Sequence, residues 1–194
     1  MFLFVILTGS AYGQYNWKPE KDKDGIKVYT SGLTDSKFKA IKVECTLAGT
    51  YSKLISVLSD VASFDDWIYN AKNCQVLKKN SPNDFIYYSE THLPWPLSNR
   101  DIVIHFRIRT DSIPKSLTIT GTNENGIIPE ILSKVRVPHY QATWHVTMPS
   151  ANSIHIVYIL TLDPGGSIPA WLTNMFADKG PYETFTNLGK LLMK

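Results

Sequence analysis

The stretch Asp163-Pro164-Gly165-Gly166-Ser167-Ile168-Pro169-Ala170-Trp171-Leu172 divides a chain of 194 residues into a long strand-rich part and a helical C-terminus. Proline and glycine weaken strand pairing, so Pro164-Gly165-Gly166 ends the preceding strand. Ser167 can cap a helix, and a proline such as Pro169 is tolerated in a first helical turn. We therefore predict a long helix over residues 168–194. Gly180-Pro181 should kink it or divide it into two helical pieces, because the proline removes a backbone donor and clashes with the preceding turn.

The part before this stretch alternates apolar and polar residues with a period of two, which predicts strands. The last two strands predict a hairpin about Pro149-Ser150-Ala151 that pairs Trp144 with Ile156, so that apolar residues meet on one face. The predicted strands are Ile26–Tyr29, Lys37–Leu47, Ala71–Lys79, Phe85–His92, Asp101–Thr110, Lys115–Gly121, Arg136–Met148 and Ser153–Asp163.

One short helix interrupts the strands. Thr50 can cap it, and Tyr51, Leu54, Ile55 and Leu58 form one apolar stripe at helical spacing. Strands, an early helix, more strands and a long final helix predict an α+β fold, in which a curved antiparallel sheet wraps around the C-terminal helix. A curved sheet and a single helix meet poorly in the middle, which predicts an internal hydrophobic cavity unless large side chains fill it.

Composition predicts one soluble globular domain, with 43% hydrophobic and 19% charged residues. The net charge of +3 comes from scattered lysines and arginines, so we expect no nucleic acid partner. The sequence contains neither a Walker loop or dinucleotide-binding fingerprint nor the G-x-S-x-G nucleophile elbow of hydrolases. We expect neither a metal nor a cofactor. His145 and His155 are predicted to face each other on the outer side of the last hairpin, which is the geometry of half a metal site, but no third ligand of clear spacing is near.

The N-terminus predicts export. An apolar run, Met1–Leu7, precedes small residues at Ala11 and Gly13, which is typical of a signal peptide over residues 1–13. The mature domain then covers residues 14–194 in the periplasm or outside the cell; a buried N-terminal strand is the alternative. Cys45 and Cys74 can pair in such a compartment or remain two separate thiols.

Four stretches in order carry a family resemblance. They are Asp24–Tyr29 after Trp17, Pro94–Asp101, the Arg136-Val137 strand start leading to Trp144, and residues 163–172. Together they resemble the START (steroidogenic acute regulatory protein-related lipid transfer) domains of the helix-grip, Bet v 1-like superfamily. The resemblance implies a hydrophobic tunnel that holds one lipid or sterol-like molecule.

The resemblance also implies a loop that opens the tunnel, matched here by residues Asn123–Val135, the gate loop. Its apolar residues include Ile127, Ile128, Ile131 and Leu132. Exposed apolar side chains near basic residues suit transient contact with a membrane surface. The alternative is that they pack on the final helix. Phe106 stands where sterol-binding members carry an arginine, which departs from the sterol pattern.

The strand that begins at Arg100 places alternate residues on one face, which we take as the inner face. Glu90 and His92 on the preceding strand are predicted to point inward near Arg100, where polar groups orient a lipid head group. A structural ion pair of Arg100 with Asp101 or Glu90 is the alternative. The predicted ligand-binding residues are Tyr88, Glu90, His92, Arg100, Ile102, Ile104, Phe106, Trp144, Tyr158, Leu172, Met175 and Phe176.

These features predict a monomeric, non-enzymatic carrier that shields an apolar molecule from water. One alternative is a helix-grip enzyme of the cyclase or hydrolase type, with Tyr88, Glu90 and His92 as acid/base groups. The other is a partner-binding protein with a filled core.

Overall fold

A computed structural model describes residues 15–34, 36–112, 115–169 and 175–194, without the side chains of Lys37, Ser112, Met175 and Phe176. Within these ranges the chain forms one large sheet. Its strands are β1 (Lys18–Lys23), β2 (Ile26–Leu33), β3 (Ser36–Ala48), β4 (Ala71–Ser81), β5 (Asp84–Thr91), β6 (Arg100–Ser112), β7 (Lys115–Asn123), β8 (Val135–Arg136), β9 (His139–Ser150) and β10 (Ser153–Asp163).

The sheet is antiparallel with strand order β1-β2-β3-β10-β9-β7-β6-β5-β4, and the short β8 runs parallel to β6. The helical elements are α1 (Tyr51–Ser59), a 3-10 turn (Val61–Ser63), α2 (Phe64–Trp67), a π-helical turn (Met175–Lys179) and α3 (Gly180–Leu192). The predicted α+β architecture, a curved antiparallel sheet around a C-terminal helix, is confirmed.

The early helix follows its sequence signals. Thr50 caps α1, because its hydroxyl accepts a hydrogen bond of 3.2 Å from the backbone N–H of Lys53. Tyr51, Leu54 and Leu58 are buried on the face toward the sheet. The hydroxyl of Tyr51 also donates to the carbonyl oxygen of Lys115 at 3.0 Å, which fixes the helix against β7.

The predicted register of the last hairpin is wrong by two residues. Trp144 pairs with Tyr158 rather than Ile156, because β9 continues through Pro149 and the chain turns at Ala151-Asn152. An even shift leaves every side chain on its predicted face, since side chains alternate with a period of two. Trp144 and Tyr158 therefore still face the core.

The C-terminal helix begins later than predicted. Ser167, Ile168 and Pro169 are not helical, and residues 170–174 lie outside the described ones. Proline disfavours helical geometry in the residue before it, which accounts for the absence of helix at Ile168. Near the predicted kink at Gly180-Pro181, the π-helical turn passes into α3.

The core lies between the inner face of the sheet and α3. Phe185, Leu188 and Leu192 of α3 are buried there, and the ring of Phe185 lies 5.1 Å from Trp144 and 5.5 Å from Tyr158. Cys45 and Cys74 are free thiols. The predicted signal peptide, residues 1–13, lies outside the described residues.

Candidate functional site

A cavity of about 220 Å³ lies between the sheet and α3, which contradicts the filled-core alternative. Its wall is mostly aromatic and aliphatic, and rigid aromatic rings supply a large apolar area at small entropic cost. The aromatic lining residues include Phe64, Trp67, Tyr87, Phe106, Trp144 and Phe185. One end is bordered by polar residues and loops, where β5 ends, β6 begins and Pro164 follows β10.

The structure places half of the predicted ligand-binding residues in this wall. They are Arg100, Ile102, Ile104, Phe106, Trp144 and Tyr158. The first four come from β6, and Trp144 and Tyr158 come from the paired strands β9 and β10. Leu172 lies outside the described residues, as do the side chains of Met175 and Phe176.

The expectation that Tyr88, Glu90 and His92 point into the cavity is wrong. β5 pairs with β6 so that Thr91 lies opposite Arg100 and Glu90 opposite Asp101, which puts Tyr88 and Glu90 on the outer face. His92 follows the end of β5 and is exposed. The eight-residue connection between the strands, 92–99, determines which residues of β5 share a face with Arg100. The alternation of apolar and polar residues within each strand does not predict the geometry of that connection.

Glu90 instead anchors a polar cluster on the outer face. The ammonium of Lys134 donates to Glu90 Oε1, as do the hydroxyl of Tyr88 and the amide of Asn73, both at 3.0 Å. Burial raises the pKa of the Glu90 carboxyl, and the bonds from Lys134, Asn73 and Tyr88 outweigh burial, so the net pKa is lowered. The bond to Glu90 raises the pKa of Lys134. This cluster ties the end of the gate loop to β5.

Arg100 forms neither predicted ion pair. Its guanidinium donates to the carbonyl oxygens of Ser98 at 2.6 Å, Gly165 at 3.2 Å and Pro164 at 3.3 Å. The residue is 4% exposed and lines the cavity. Asp101 lies on the opposite face of β6, where Arg136 binds it. The guanidinium of Arg100 therefore joins β6 to the turn after β10.

That turn requires its glycine. Gly165 has φ +70°, and a Cβ there would lie 3.0 Å from Val135 Cγ1 and 3.2 Å from the Arg136 carbonyl oxygen. Only glycine adopts this conformation freely and allows so close an approach. The glycine thereby brings the carbonyls of Pro164 and Gly165 to Arg100.

The gate loop is exposed at its tip. Ile127, Ile131 and Leu132 are exposed, and Leu132 is fully so at 106%. Ile128 is half-buried and packs on Ile86, Tyr88 and Val103 of the outer face. The alternative of packing on the final helix therefore does not describe Ile128, which packs on the sheet.

Sequence reasoning missed three tyrosines in the cavity wall. Tyr69, Tyr87 and Tyr140 join the predicted Tyr158 there. Burial raises the pKa of Tyr140 to about 12 and those of Tyr87 and Tyr158 well above the ordinary value, so all three hydroxyls are neutral donors at physiological pH. The correct β5–β6 register would have identified Tyr87, because it is the neighbour of Ile104.

Within the described residues, no cluster of three or more His, Cys, Asp or Glu side chains is arranged to hold a metal ion. The same part of the chain contains no helix with the length and apolar character needed to span a membrane.

Comparison with known proteins identifies the family. The START domain model matches residues 7–191. An uncharacterized protein of Pseudomonas aeruginosa is 30% identical over 94% of this chain and 89% of its own length, and mouse phosphatidylcholine transfer protein is 25% identical over 85% of this chain and 78% of its own. The crystal structure of a STAR-related lipid transfer protein fragment from Xanthomonas axonopodis superposes with a TM-score of 0.82 at 29% identity, covering 92% of this chain and 99% of that one. With its cavity beneath the last helix and its match over nearly the whole length, this chain belongs to the START domain family of lipid-binding proteins.

Proposed function

We propose that this protein is a non-enzymatic carrier that holds the acyl chain of one lipid in its cavity and moves the lipid between membranes. The observation that carries the proposal is the apolar cavity enclosed by the inner face of the sheet and α3. Burial of apolar surface supplies about 25 cal/mol per Å², so an acyl chain needs few specific contacts to bind.

The cavity volume limits what fits. About 220 Å³ is below the roughly 300–1,000 Å³ of common ligand pockets. A single acyl chain suits this space better than a rigid sterol-like ring system or a whole two-chain lipid. The similarity to phosphatidylcholine transfer protein supports a phospholipid cargo, whose binding then requires the loops or α3 to move outward.

The position of the titratable groups supports a carrier over an enzyme. Tyr88, Glu90 and His92, the acid/base groups that the cyclase or hydrolase alternative requires, lie outside the cavity. A general acid or base must reach its substrate within hydrogen-bonding distance.

Lipid analysis tests the proposal. Mass spectrometry of an organic extract from natively purified protein should detect a co-purified lipid in unaltered form, and vesicles carrying a fluorescent lipid should exchange it when the protein is added. Release of a chemically changed ligand would support the enzyme, and neither bound lipid nor exchange would contradict the carrier.

Two neighbouring residues of β10 give a matched pair of variants. Leu160 lines the cavity, whereas Ile159 has the opposite parity and lies on the outer face. Leu160→Trp should fill part of the cavity and reduce the exchange rate about tenfold, because the added ring occupies the space of the acyl chain. Ile159→Trp adds the same volume on the other face and should leave exchange unchanged.

The exposed apolar tips support contact with a membrane surface. Trp95, in the loop between β5 and β6, is 91% exposed. This loop adjoins the gate loop, because the N–H of Val135 donates to the Asn99 carbonyl oxygen at 2.9 Å. Trp95 and Leu132 thus project from two adjacent loops at the cavity end that contains Arg100. We expect a monomer to insert both side chains into the interface while the lipid passes.

Export belongs to the same proposal. The apolar run before Ala11 and Gly13 supports cleavage after residue 13. Intact mass of the protein isolated from its native host should correspond to a chain that begins at Gln14. A mass that retains the N-terminal residues would contradict export through signal cleavage.

A further inference from the structure

Arg100 is a buried cation at one end of an apolar cavity. It is the first residue of β6, is 4% exposed, and borders the cavity together with Thr91, its neighbour on β5. A buried charge is costly unless it is paired and hydrogen-bonded. The partners of this guanidinium therefore indicate what the cavity is built to receive.

The observed partners of Arg100 leave its positive charge without a counter-ion. Three carbonyl oxygens accept from its Nε, Nη1 and Nη2 atoms. A guanidinium has five N–H donors, so donors remain after these three bonds. Carbonyl dipoles solvate a cation in part, but they carry no negative charge.

The carboxylates nearest in sequence and register are engaged elsewhere. Asp101 points to the outer face and binds Arg136, and Glu90 on the same face binds Lys134 and Tyr88. Among the described residues, no carboxylate lies within ion-pairing distance of Arg100. Burial alone lowers the pKa of its guanidinium, with no opposing contribution from an acid.

We propose that Arg100 binds the oxyanion of the lipid head, either the carboxylate of a fatty acid or the phosphate of a phospholipid. This inference rests on the proposed lipid-carrier function and adds the chemistry of the head group. The guanidinium matches both oxyanions in geometry, because adjacent N–H groups can bind two oxygens at once. Thr91 and Ser89 supply hydroxyl groups on the neighbouring strand, and the aromatic wall beyond them accommodates the acyl chain.

A pair of ligands that differ only in the head tests the proposal. Full-length protein, freed of co-purified lipid, is titrated with oleate and with oleyl alcohol, each displacing the same fluorescent fatty-chain probe. We expect oleate to bind about tenfold or more tightly, since a hydrogen bond to a charged group contributes about 1.5–3 kcal/mol. Equal affinities in the natural protein would overturn the proposal.

Variants assign the preference to Arg100. Arg100→Gln should bring the two affinities together by weakening oleate binding and leaving oleyl alcohol nearly unaffected. A folded Arg100→Gln protein that keeps the oleate preference would show that another group binds the head. Arg100→Lys retains the charge and should keep part of the preference, and Thr91→Val should reduce it less than Arg100→Gln does.

A second pair of ligands identifies the source of the oxyanion. Lysophosphatidylcholine with an oleoyl chain is compared with monooleoylglycerol, which has the same acyl chain and glycerol but lacks the phosphocholine. An Arg100-dependent preference for the lysophospholipid assigns the site to phosphate, whereas a preference limited to oleate assigns it to carboxylate. If Arg100→Gln does not fold, the proposal is tested instead by the ratio of oleate affinity to oleyl alcohol affinity in the natural protein and in Arg100→Lys. Binding of neither chain by the natural protein would contradict the carrier function itself, which separates that failure from an error about the head group.

Discussion

The guanidinium of Arg136 binds the carboxylate of Asp101 through two hydrogen bonds, Nε to Oδ1 at 3.0 Å and Nη2 to Oδ2 at 2.9 Å. The Arg136 side chain is 9% exposed and that of Asp101 is completely buried. Arg136 also donates to the carbonyl oxygens of Ile128 and Pro129 in the gate loop. One ion pair thus holds β6, β8 and the gate loop together.

Removal of one partner of this ion pair should destabilise the fold. Asp101→Asn leaves the Arg136 charge buried without its counter-ion, and we expect a loss of about 3 kcal/mol in the free energy of unfolding. Urea denaturation measures it. The control is Glu183→Gln, which removes the exposed Lys179–Glu183 pair and should cost under about 1 kcal/mol. Equal effects of the two changes would show that the Asp101 pair contributes nothing beyond a surface pair.

The contact of Lys134 with Glu90 should make attachment of the gate loop depend on pH. The pKa of Glu90 is lowered in the folded protein, so its contribution is complete above the unfolded value of about 4.3 and is lost as the pH falls through the folded pKa. Lys134 has a raised pKa, so its contribution is lost only as the pH rises above about 10.4.

Hydrogen exchange measures this dependence. Amides of residues 124–134 should exchange faster, relative to the intrinsic rate, below about pH 4. Glu90→Gln should show the fast exchange already at neutral pH and little further change on acidification. Loss of protection at the same pH in both proteins would assign the transition to other acids.

Trp95 should contribute strongly to membrane binding. Trp95→Ala removes an exposed aromatic side chain of a kind that favours the membrane interface, and we expect about tenfold weaker binding to phospholipid vesicles. Cosedimentation measures it, and the lipid bound within the cavity should be unchanged. Val76→Ala is the matched control, because Val76 is 46% exposed on β4. Membrane binding that is insensitive to Trp95 but reduced by Val76→Ala would place the contact on another face.

The two cysteines should react slowly in the folded protein. Burial raises the pKa of both Cys45 and Cys74 to about 12, so the reactive thiolate is rare near neutral pH. Iodoacetamide should modify neither cysteine in native conditions and both after unfolding, as measured by intact mass. A mass two hydrogens below the reduced value, with no labelling after unfolding, would instead reveal a disulfide.

Periodicity predicted those parts of the fold where local pattern and tertiary packing agree. The bounds of β10 were predicted without error and α1 began at its cap, Thr50, because each segment buries the apolar face that its sequence defines. β1 was missed because its residues are almost all exposed and charged, and they pair by backbone bonds without an apolar face.

The errors in the site follow from connections rather than strands. The turn at Ala151-Asn152 places the β9–β10 register two residues from the predicted one. Because two is an even number, Trp144 and Tyr158 keep their predicted face and line the cavity. The connection between β5 and β6 reversed parity, so Tyr88 and Glu90 moved to the outer face and Tyr87 took their place. The turn that brings the Pro164 and Gly165 carbonyls to Arg100 depends on contacts across 64 and 65 positions of sequence.

The two edge strands of the sheet determine whether molecules of this protein can pair strand to strand at high concentration. β1 is built from Lys18-Pro19-Glu20-Lys21-Asp22-Lys23, and β4 has three register irregularities against β5. Charge, proline and bulges all discourage a foreign strand from extending a sheet. A concentrated solution of this protein should therefore resist fibril formation, although β1 and β4 stand at the two ends of the strand order.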